Sequence, residues 1–327
     1  MSLFRTRRRL LGAMAGWVMA PRAALAETPF PTRPVHIVVP YSVGIGPDLV
    51  ARALAERLTQ RWGQPVIVDN RPGASGIVAF AEVRTTVADG HVVFVGDTAT
   101  LAVNPLVHAS LPYDPARDLV PISLLFRATF LILVSAQNRY GTVGEMLADA
   151  RRRPDRVSYA SLGNGHPTQM CVETMAQMAG VTFMHVPFKE AGAAFSAVAS
   201  GDVDFTVFGH NAASGLLKGG KLKALAVAAP ARLREAPDVP TIVESGGPPV
   251  EMRPWAALVA VAGTPDATLA IIQREVAAAL AAPDVRGQIE AAGFEVTPSS
   301  PRELTARMDA DVRQYASLIR AGRIARD

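Results

Sequence analysis

Short apolar segments rich in valine and isoleucine alternate with helical patterns along most of this chain. Such segments indicate strands that are buried on both faces, and their alternation with helices predicts βαβ units around parallel sheets. The predicted strands cover residues 35–41, 66–69, 92–95, 129–135, 157–160, 183–186, 205–208, 224–228 and 256–262. Because the chain has 327 residues, 49% of them apolar, it can form two modest hydrophobic cores, and we expect two lobes.

Residues 1–26 have the pattern of an export signal. Arginines at 7–9 precede an apolar run, and the Ala-Leu-Ala at 24–26 fits an A-x-A cleavage site. The arginines also fit the twin-arginine pattern, with an ordinary secretory signal as the alternative. The apolar run is too short to span a bilayer as a stable helix. We therefore expect a periplasmic mature chain that begins near Glu27, after Ala26, and has no membrane anchor.

The formal net charge of +4 comes from this export signal. It contains five of the 33 basic residues and no acidic residue, so the remaining 28 basic residues face 29 acidic ones. A balance close to neutral removes the main support for a nucleic-acid-binding role. The single cysteine, Cys171, allows no internal disulfide and is expected to be a buried apolar side chain.

Two glycine-containing loops, each between an apolar run and a helical pattern, form the candidate binding site. Loop 1 is residues 39–48 (VPYSVGIGPD) and loop 2 is residues 159–168 (YASLGNGHPT). Each places backbone N–H groups at a helix N-terminus, where unpaired donors and the helix dipole favour an anion such as a carboxylate. The candidate ligand contacts in the loops are Tyr41, Ser42, Val43, Gly44, Ile45, Gly46, Asp48, Ser161, Gly163, Asn164, Gly165, His166 and Thr168.

Several of these candidates also have ordinary structural interpretations. Asp48 is a typical acidic residue of a first helical turn, and His166 either donates a hydrogen bond to a ligand or is only solvated. Thr98 and Thr100 follow a predicted strand, where their hydroxyls contact a ligand or cap the next helix. Lys189 either attracts an anion or is a plain surface lysine.

Other kinds of site have weaker support. The Gly-Ile-Gly of loop 1 lacks the third glycine of a dinucleotide fingerprint, because that position holds Leu49. Ser161 lies in a strand-to-helix turn that partly matches a nucleophile elbow, with His185 or His210 as its possible base, but no ordered triad is evident. The six histidines show no metal-ligand spacing. We therefore expect no metal, no cofactor and no catalysis.

Motifs spread over the whole mature sequence carry a family resemblance. They are PVHIVVP (34–40), AR (51–52), DNRPGA (69–74), ADG (88–90), NP (104–105), LPYDP (111–115), YAS (159–161), GNG (163–165), GGKLKALA (219–226), PDVPT (237–241) and AGTP (262–265). In these motifs the chain resembles the Bug family, the extracytoplasmic substrate-binding proteins of tripartite tricarboxylate transporters.

The resemblance implies an α/β protein with a two-lobed, type II-like periplasmic-binding-protein fold, in which each lobe is a sheet flanked by helices. The long apolar runs at 129–135 and 256–262 are suited to crossing between lobes. Lobe 1 would then comprise residues 27–128 plus 256–327, and lobe 2 residues 129–255. The implied function is capture of a small carboxylate by a monomer that closes on its ligand and delivers it to a membrane permease. A periplasmic sensor would use the same binding fold, and hydrolysis by Ser161 is the remaining alternative.

The chain departs from the family pattern mainly within the binding loops. Several positions have become apolar or otherwise altered. The family usually has proline at Val43, glycine at Ile45, threonine at Pro47, histidine at Leu101, a small residue at Leu162, histidine at Gln169 and aspartate at Phe208. In the family, the aspartate at the last position helps to recognise the distal end of the ligand. Phe208 would offer an aromatic surface, which favours a monocarboxylate with an apolar body, or it packs into the core of its lobe.

Overall fold

The computed structural model describes residues 30–44 and 46–326. The predicted export signal, its cleavage site and Ile45 lie outside the described residues. Within them, no helix combines the length and the apolar character that a membrane span requires.

Lobe 1 is built on a six-stranded sheet. Its strands are β1 (Val35–Val39), β2 (Val66–Asn70), β3 (Val92–Asp97), β4 (Leu119–Ala128), β10 (Trp255–Val261) and β11 (Phe294–Val296), in the spatial order β11-β4-β10-β3-β1-β2. Strands β1, β2 and β3 are parallel, as expected for βαβ units, whereas β10 runs antiparallel to both β3 and β4.

Lobe 2 is built on a five-stranded sheet. Its strands are β5 (Phe130–Ser135), β6 (Ser158–Ser161), β7 (Met184–Pro187), β8 (Phe205–Gly209) and β9 (Leu222–Val227), in the spatial order β7-β6-β8-β5-β9. Strand β6 is parallel to β7 and β8, and β5 is antiparallel to its neighbours β8 and β9. The predicted parallel units are therefore present in both lobes, and each sheet also contains antiparallel strands.

Helices flank both sheets. Those of the first and last parts of the chain are α1 (Gly46–Trp62), α2 (Ile77–Val83), α3 (Asn104–Val107), α4 (Pro115–Asp118), α9 (Asp266–Ala281), α10 (Pro283–Ala291) and α11 (Pro301–Arg320). Those of the middle part are α5 (Val143–Arg152), α6 (Pro167–Ala179), α7 (Ala191–Ser200) and α8 (His210–Lys218). A single π-helical turn, Ala99–Val103, connects β3 to α3.

The two sheets pack apolar side chains on both of their faces. On one face of the lobe 1 sheet, Leu54 of α1 and Ile272 of α9 are buried against the strands, and on the other face Phe80 of α2 packs against Phe94. In lobe 2, Cys171 is buried in the core cluster on the α6 side, as the sequence predicts. Burial of apolar surface on both faces explains why these strands have nearly continuous apolar sequences.

All nine strands predicted from the sequence are present, and two further strands were missed. Strand β4 contains Pro121, which normally argues against a ladder strand, and Pro121 lies next to a register shift between β4 and β10. Strand β11 has only three residues, too few for a periodic pattern.

The chain crosses between the sheets at two adjacent places. Thr129 alone separates β4 from β5, and the N–H of Ala128 donates to the carbonyl of Pro254, just before β10, at 2.7 Å. Helix α11 also contacts both cores, because Leu304 is buried with lobe 1 residues and Tyr315 with lobe 2 residues. The exact division of the chain into lobes stays a prediction.

Candidate functional site

The two loops follow the carboxyl ends of parallel strands in different lobes. Loop 1 connects β1 to α1, and loop 2 connects β6 to α6. In α/β sheets this edge is where ligands bind. A methyl group on Gly165 of loop 2 would lie 3.2 Å from Val103 and 3.3 Å from Val107 of the first part of the chain. Loop 2 therefore packs closely against the segment that follows β3, with glycine at the contact.

Asp48 holds loop 1 in shape from within. Its side chain is fully buried and accepts hydrogen bonds from the N–H of Gly44 at 2.8 Å, from Asn70 at 2.8 Å and from Arg52 at 3.0 Å. Burial alone would raise the pKa of Asp48, but these hydrogen bonds and the Arg52 charge outweigh burial and lower it. The carboxylate is thus ionised and fully engaged, in line with the structural interpretation of this residue.

Tyr41 is anchored at both ends. Its carbonyl accepts a hydrogen bond from the Asn70 amide at 2.9 Å, and its hydroxyl donates to the carboxylate of Asp97 at the end of β3. Asp97 also accepts from the N–H and the hydroxyl of Thr100, each at 2.8 Å. The start of loop 1 is therefore tied to both neighbouring strands, β2 and β3.

The threonine hydroxyls proposed as ligand contacts have internal partners. That of Thr100 bonds to Asp97, and that of Thr98 accepts from the N–H of Trp255 at 3.0 Å. Both threonines are buried, at 0% and 1% exposure. Thr100 orders the turn after β3 and Thr98 ties that turn to the start of β10, so neither hydroxyl caps the following helical turn, contrary to the capping interpretation.

Loop 1 retains backbone donors for a ligand. Among the hydrogen bonds of the described residues, none uses the N–H of Ser42 or Val43, and α1 begins three residues later, at Gly46. Ser42 and Val43 are exposed, the latter at 69%. Free N–H groups beside a helix N-terminus are the arrangement that binds an anion.

Loop 2 uses most of its donors internally. The N–H of Leu162 donates to Thr168 at 3.1 Å, that of Gly165 donates to the side-chain oxygen of Gln169 at 2.7 Å, and that of Thr168 donates to Nδ1 of His166 at 3.2 Å. Helix α6 is therefore capped by its own loop. The two loops therefore differ in how many of their backbone N–H groups are left for a ligand, which their similar sequences do not reveal.

Ser161 belongs to a buried polar group beneath loop 2. Its hydroxyl is 2.6 Å from Nε2 of His185 and accepts from the N–H of Gly163 at 3.1 Å. On the other side of the imidazole, Nδ1 of His185 is 3.4 Å from the Gln169 amide, and the ring stacks on Tyr159 with centroids 4.9 Å apart. Burial lowers the pKa of His185, which favours its neutral form.

The remaining candidates lie in different surroundings. Asn164 is exposed, and its amide donates to the carbonyl of Ala325 at 3.0 Å. Lys189 is exposed after β7. Phe208 is only 6% exposed and packs against Phe195 with ring centroids 4.6 Å apart, so its ring is part of the lobe 2 core. The structure thus places Phe208 as the packing interpretation expects.

A cavity of about 500 Å³ lies at the edge of lobe 2, apart from loop 1. Its walls include Gln169 and Glu173 of α6, His185 of β7 and Arg323 after α11. Glu173 accepts from the hydroxyl of Tyr159 at 2.7 Å. Since no residue of loop 1 lines this cavity, it is not the space between the two loops.

Residues outside the predicted set complete the site. Asn70 and Asp97 fix loop 1, and His185 with Gln169 fixes loop 2. A spacing in the sequence does point to Asp97, because an aspartate three residues before Thr100 is typical of a side chain that caps a turn. In residues 30–44 and 46–326, no group of three or more histidine, cysteine or acidic side chains is placed to hold a metal.

Comparison with known proteins identifies the family. The family model described as "Tripartite tricarboxylate transporter family receptor" matches residues 50–323. The chain is also 27% identical to protein BugT of Bordetella pertussis over 299 residues, which cover 91% of this chain and 92% of BugT. The chain belongs to the tripartite tricarboxylate transporter receptor family, and the resemblance to Bug proteins is confirmed.

Solved structures confirm the two-lobed fold of periplasmic binding proteins. The structure of R. palustris Rpa4515 with adipate has a TM-score of 0.82 and 30% identity, and covers 91% of this chain and 100% of that chain. MatC from Rhodopseudomonas palustris with bound malate has a TM-score of 0.77 and 29% identity, and covers 89% and 100%, respectively. The family is one of solute-binding receptors that act in the periplasm.

Proposed function

We propose that this protein captures a small organic carboxylate between its two lobes and delivers it to a membrane permease of the tripartite tricarboxylate type. The observation that carries the proposal is the pair of exposed N–H groups of Ser42 and Val43, just before α1, which no hydrogen bond among the described residues uses. Their position at the carboxyl end of β1 suits an anionic group. Adipate and malate in two similar structures are acids of this kind.

The roles of the loops follow from their hydrogen bonds. Loop 1, pre-shaped by Asp48 and anchored through Tyr41, provides donors for the carboxylate. Loop 2, whose donors are largely used, provides a shaped wall in which Asn164 is exposed. Ile45, Gly44, Gly163, Gly165, His166 and Lys189 remain part of the proposed contact set.

Binding closes the lobes about the two crossing segments. The single residue Thr129 and the hydrogen bond between Ala128 and Pro254 form a narrow connection, which suits rotation of one lobe against the other. The ligand favours closure through contacts that it makes in the closed state and not in the open one. The protein acts without catalysis, as an exported monomer from which the signal is removed near Ala26 and Glu27.

A thermal-shift screen tests carboxylate recognition. The chain from Glu27 onward is screened against mono-, di- and tricarboxylates, each beside its uncharged amide. A ligand at about 100 times its Kd adds about 2.7 kcal/mol of stability, so a matching acid raises Tm by a few degrees and its amide does not. Equal shifts with acids and amides, or no shift with any acid, would overturn the proposal.

Uptake measurements separate transport from sensing. Cells that lack this protein are predicted to lose uptake of the radiolabelled acid found in the screen, and the gene supplied in trans restores it. Unchanged uptake with loss of an acid-induced transcriptional response would instead assign the protein to a signalling system.

A further inference from the structure

Three arginines converge on one face of the lobe 1 sheet, beside the place where the chain crosses between the lobes. Arg127 is near the end of β4, Arg253 lies just before β10, and Arg307 is on α11. We call these three residues the arginine cluster. Arg127 lies opposite Trp255 of β10 and opposite Glu295 of β11. Residues opposite one another on neighbouring strands share a face of the sheet, so these side chains form one row.

Helix α11 brings the third arginine to the same face. The indole N–H of Trp255 donates to the carboxylate of Asp311 on α11 at 2.6 Å, and Arg307 pairs with that carboxylate at 3.0 Å. Trp255 belongs to the apolar cluster under α2 and α11, whereas α1, which begins at loop 1, packs on the opposite face through Leu54. The arginine cluster is therefore separate from the proposed carboxylate anchor.

Arg127 is the member of the cluster without a partner. Among the hydrogen bonds and ion pairs of residues 30–44 and 46–326, none involves its guanidinium group. The other two arginines are paired, Arg307 with Asp311 and Arg253 with Glu295. Two carboxylates therefore serve three arginines, and the charge of Arg127 is left uncompensated.

The guanidinium groups are close enough to affect one another. Burial lowers the pKa of Arg127, and the charge of Arg307 lowers it further. Burial also lowers the pKa of Arg253, with the charge of Arg127 as the next cause. The exposed Glu251 opposes both shifts and is outweighed. Arginine stays protonated at neutral pH in spite of such shifts, so the three charges repel one another and an anion among them would relieve that repulsion.

The cluster also has donors that the protein does not use. The Nε atom of each arginine is buried and has no acceptor among the described residues. The terminal amino groups of Arg127 are not among these buried atoms, and the residue is half-buried, so its outer end faces solvent. A guanidinium group presents two parallel N–H groups, which match two oxygens of an oxyanion.

We propose that the arginine cluster binds a small oxyanion of the phosphate type, with the free fork of Arg127 as the principal contact. A tetrahedral oxyanion offers acceptors in several directions, so it can bond to Arg127 while its charge faces Arg253 and Arg307. This inference does not depend on the proposed function, because the cluster shares no residue with loop 1 or loop 2.

Titration with inorganic phosphate, followed by ³¹P NMR at neutral pH, tests the site. Sodium chloride keeps the ionic strength constant, so that general attraction of anions to positive charge is the same at every point. The Kd is compared between the wild type and Arg127→Gln, in which the charge and the fork are removed. Loss of a hydrogen bond between charged groups should raise the Kd for phosphate by about tenfold or more.

Arg313→Gln is the matched control. Arg313 is an exposed residue of α11 outside the cluster, so the variant removes one positive charge from the same helix. Its Kd for phosphate should equal that of the wild type. Glu295→Gln should act in the opposite direction, because it releases Arg253 from its ion pair and lowers the Kd. The Glu295 side chain is 53% exposed, so this variant also serves if Arg127→Gln does not fold.

Three results would overturn the inference. The first is a wild type that binds no phosphate at millimolar concentration. The second is an equal phosphate Kd for the wild type, Arg127→Gln and Glu295→Gln, which would place the bound phosphate elsewhere, such as at loop 1. The third is an equal loss in Arg127→Gln and Arg313→Gln, which would indicate attraction to positive charge in general. None of these results bears on carboxylate capture between the lobes.

Discussion

The hydroxyl of Ser161 and Nε2 of His185 are 2.6 Å apart, a distance at which a histidine can act as base for a serine nucleophile. The surroundings favour a structural role for the pair. Ser161 is 0% exposed, and its oxygen also accepts from the N–H of Gly163, which shapes loop 2. The imidazole is oriented by an amide, Gln169, and not by a carboxylate. A serine buried to this extent is poorly placed to attack a substrate, and its hydrogen bonds stabilise loop 2.

Ser161→Ala is therefore predicted to change stability without abolishing any enzymatic activity. Loss of the hydroxyl leaves the N–H of Gly163 and Nε2 of His185 without a partner, which should lower the free energy of unfolding by about 1–3 kcal/mol. Chemical denaturation followed by circular dichroism measures this. A nitrophenyl ester should be hydrolysed at the background rate by both proteins. Wild-type turnover that disappears in Ser161→Ala would identify a hydrolase.

Gly46→Ala is predicted to weaken carboxylate binding. A methyl group on Gly46 would overlap the end of the Phe294 ring, which is held against Phe126 with ring centroids 4.4 Å apart. The start of α1 must then move, which displaces loop 1 and its backbone donors. Displacement of a donor to a charged group should cost about 1.5–3 kcal/mol, or about a 10- to 100-fold rise in Kd.

Gly192→Ala provides the comparison for that variant. Gly192 lies in the first turn of α7, where a methyl group would have open space around it. Its Kd for the same acid should equal that of the wild type, and its Tm should be equal or slightly higher, because alanine is the better helix former. Equal Kd values for Gly46→Ala and Gly192→Ala would show that the start of α1 does not contact the carboxylate.

His166 should make stability depend on pH between about 6.5 and about 4. Burial lowers the pKa of His166 to about 4, and its Nδ1 accepts from the N–H of Thr168 when neutral. The unfolded chain therefore binds more protons in this window, so stability is lost as the pH falls from the unfolded pKa toward the folded one. The loss attributable to this residue is at most about 3.4 kcal/mol.

His166→Asn isolates that contribution. Asparagine can accept the same N–H at the start of α6 but does not titrate. Unfolding measured across this pH range should therefore fall less steeply for the variant than for the wild type. Parallel pH profiles would mean that His166 keeps an ordinary pKa in the folded protein.

The sequence predicts the strands well because apolar runs between helices leave few alternatives to buried βαβ units. It fails at β4, where Pro121 occurs in a strand beside a register shift. The sequence also does not show that loop 2 has fewer available N–H donors than loop 1, because the bond from the N–H of Gly165 to Gln169 depends on the conformation of the Gln169 side chain. The bond from Tyr41 to Asp97 joins residues 56 positions apart, and it becomes visible only when β1 and β3 are adjacent.

The most direct test of a carboxylate anchor is amide NMR of the ¹⁵N-labelled protein titrated with hexanoate and, separately, with hexanamide. The account predicts that hexanoate shifts the amide protons of Ser42 and Val43 downfield, in proportion to occupancy. Amides of loop 2 that are already bonded, such as that of Gly165, should move much less, and hexanamide should leave loop 1 unchanged. If hexanoate binds while the loop 1 amides stay in place, the carboxylate is held elsewhere and the central claim is wrong.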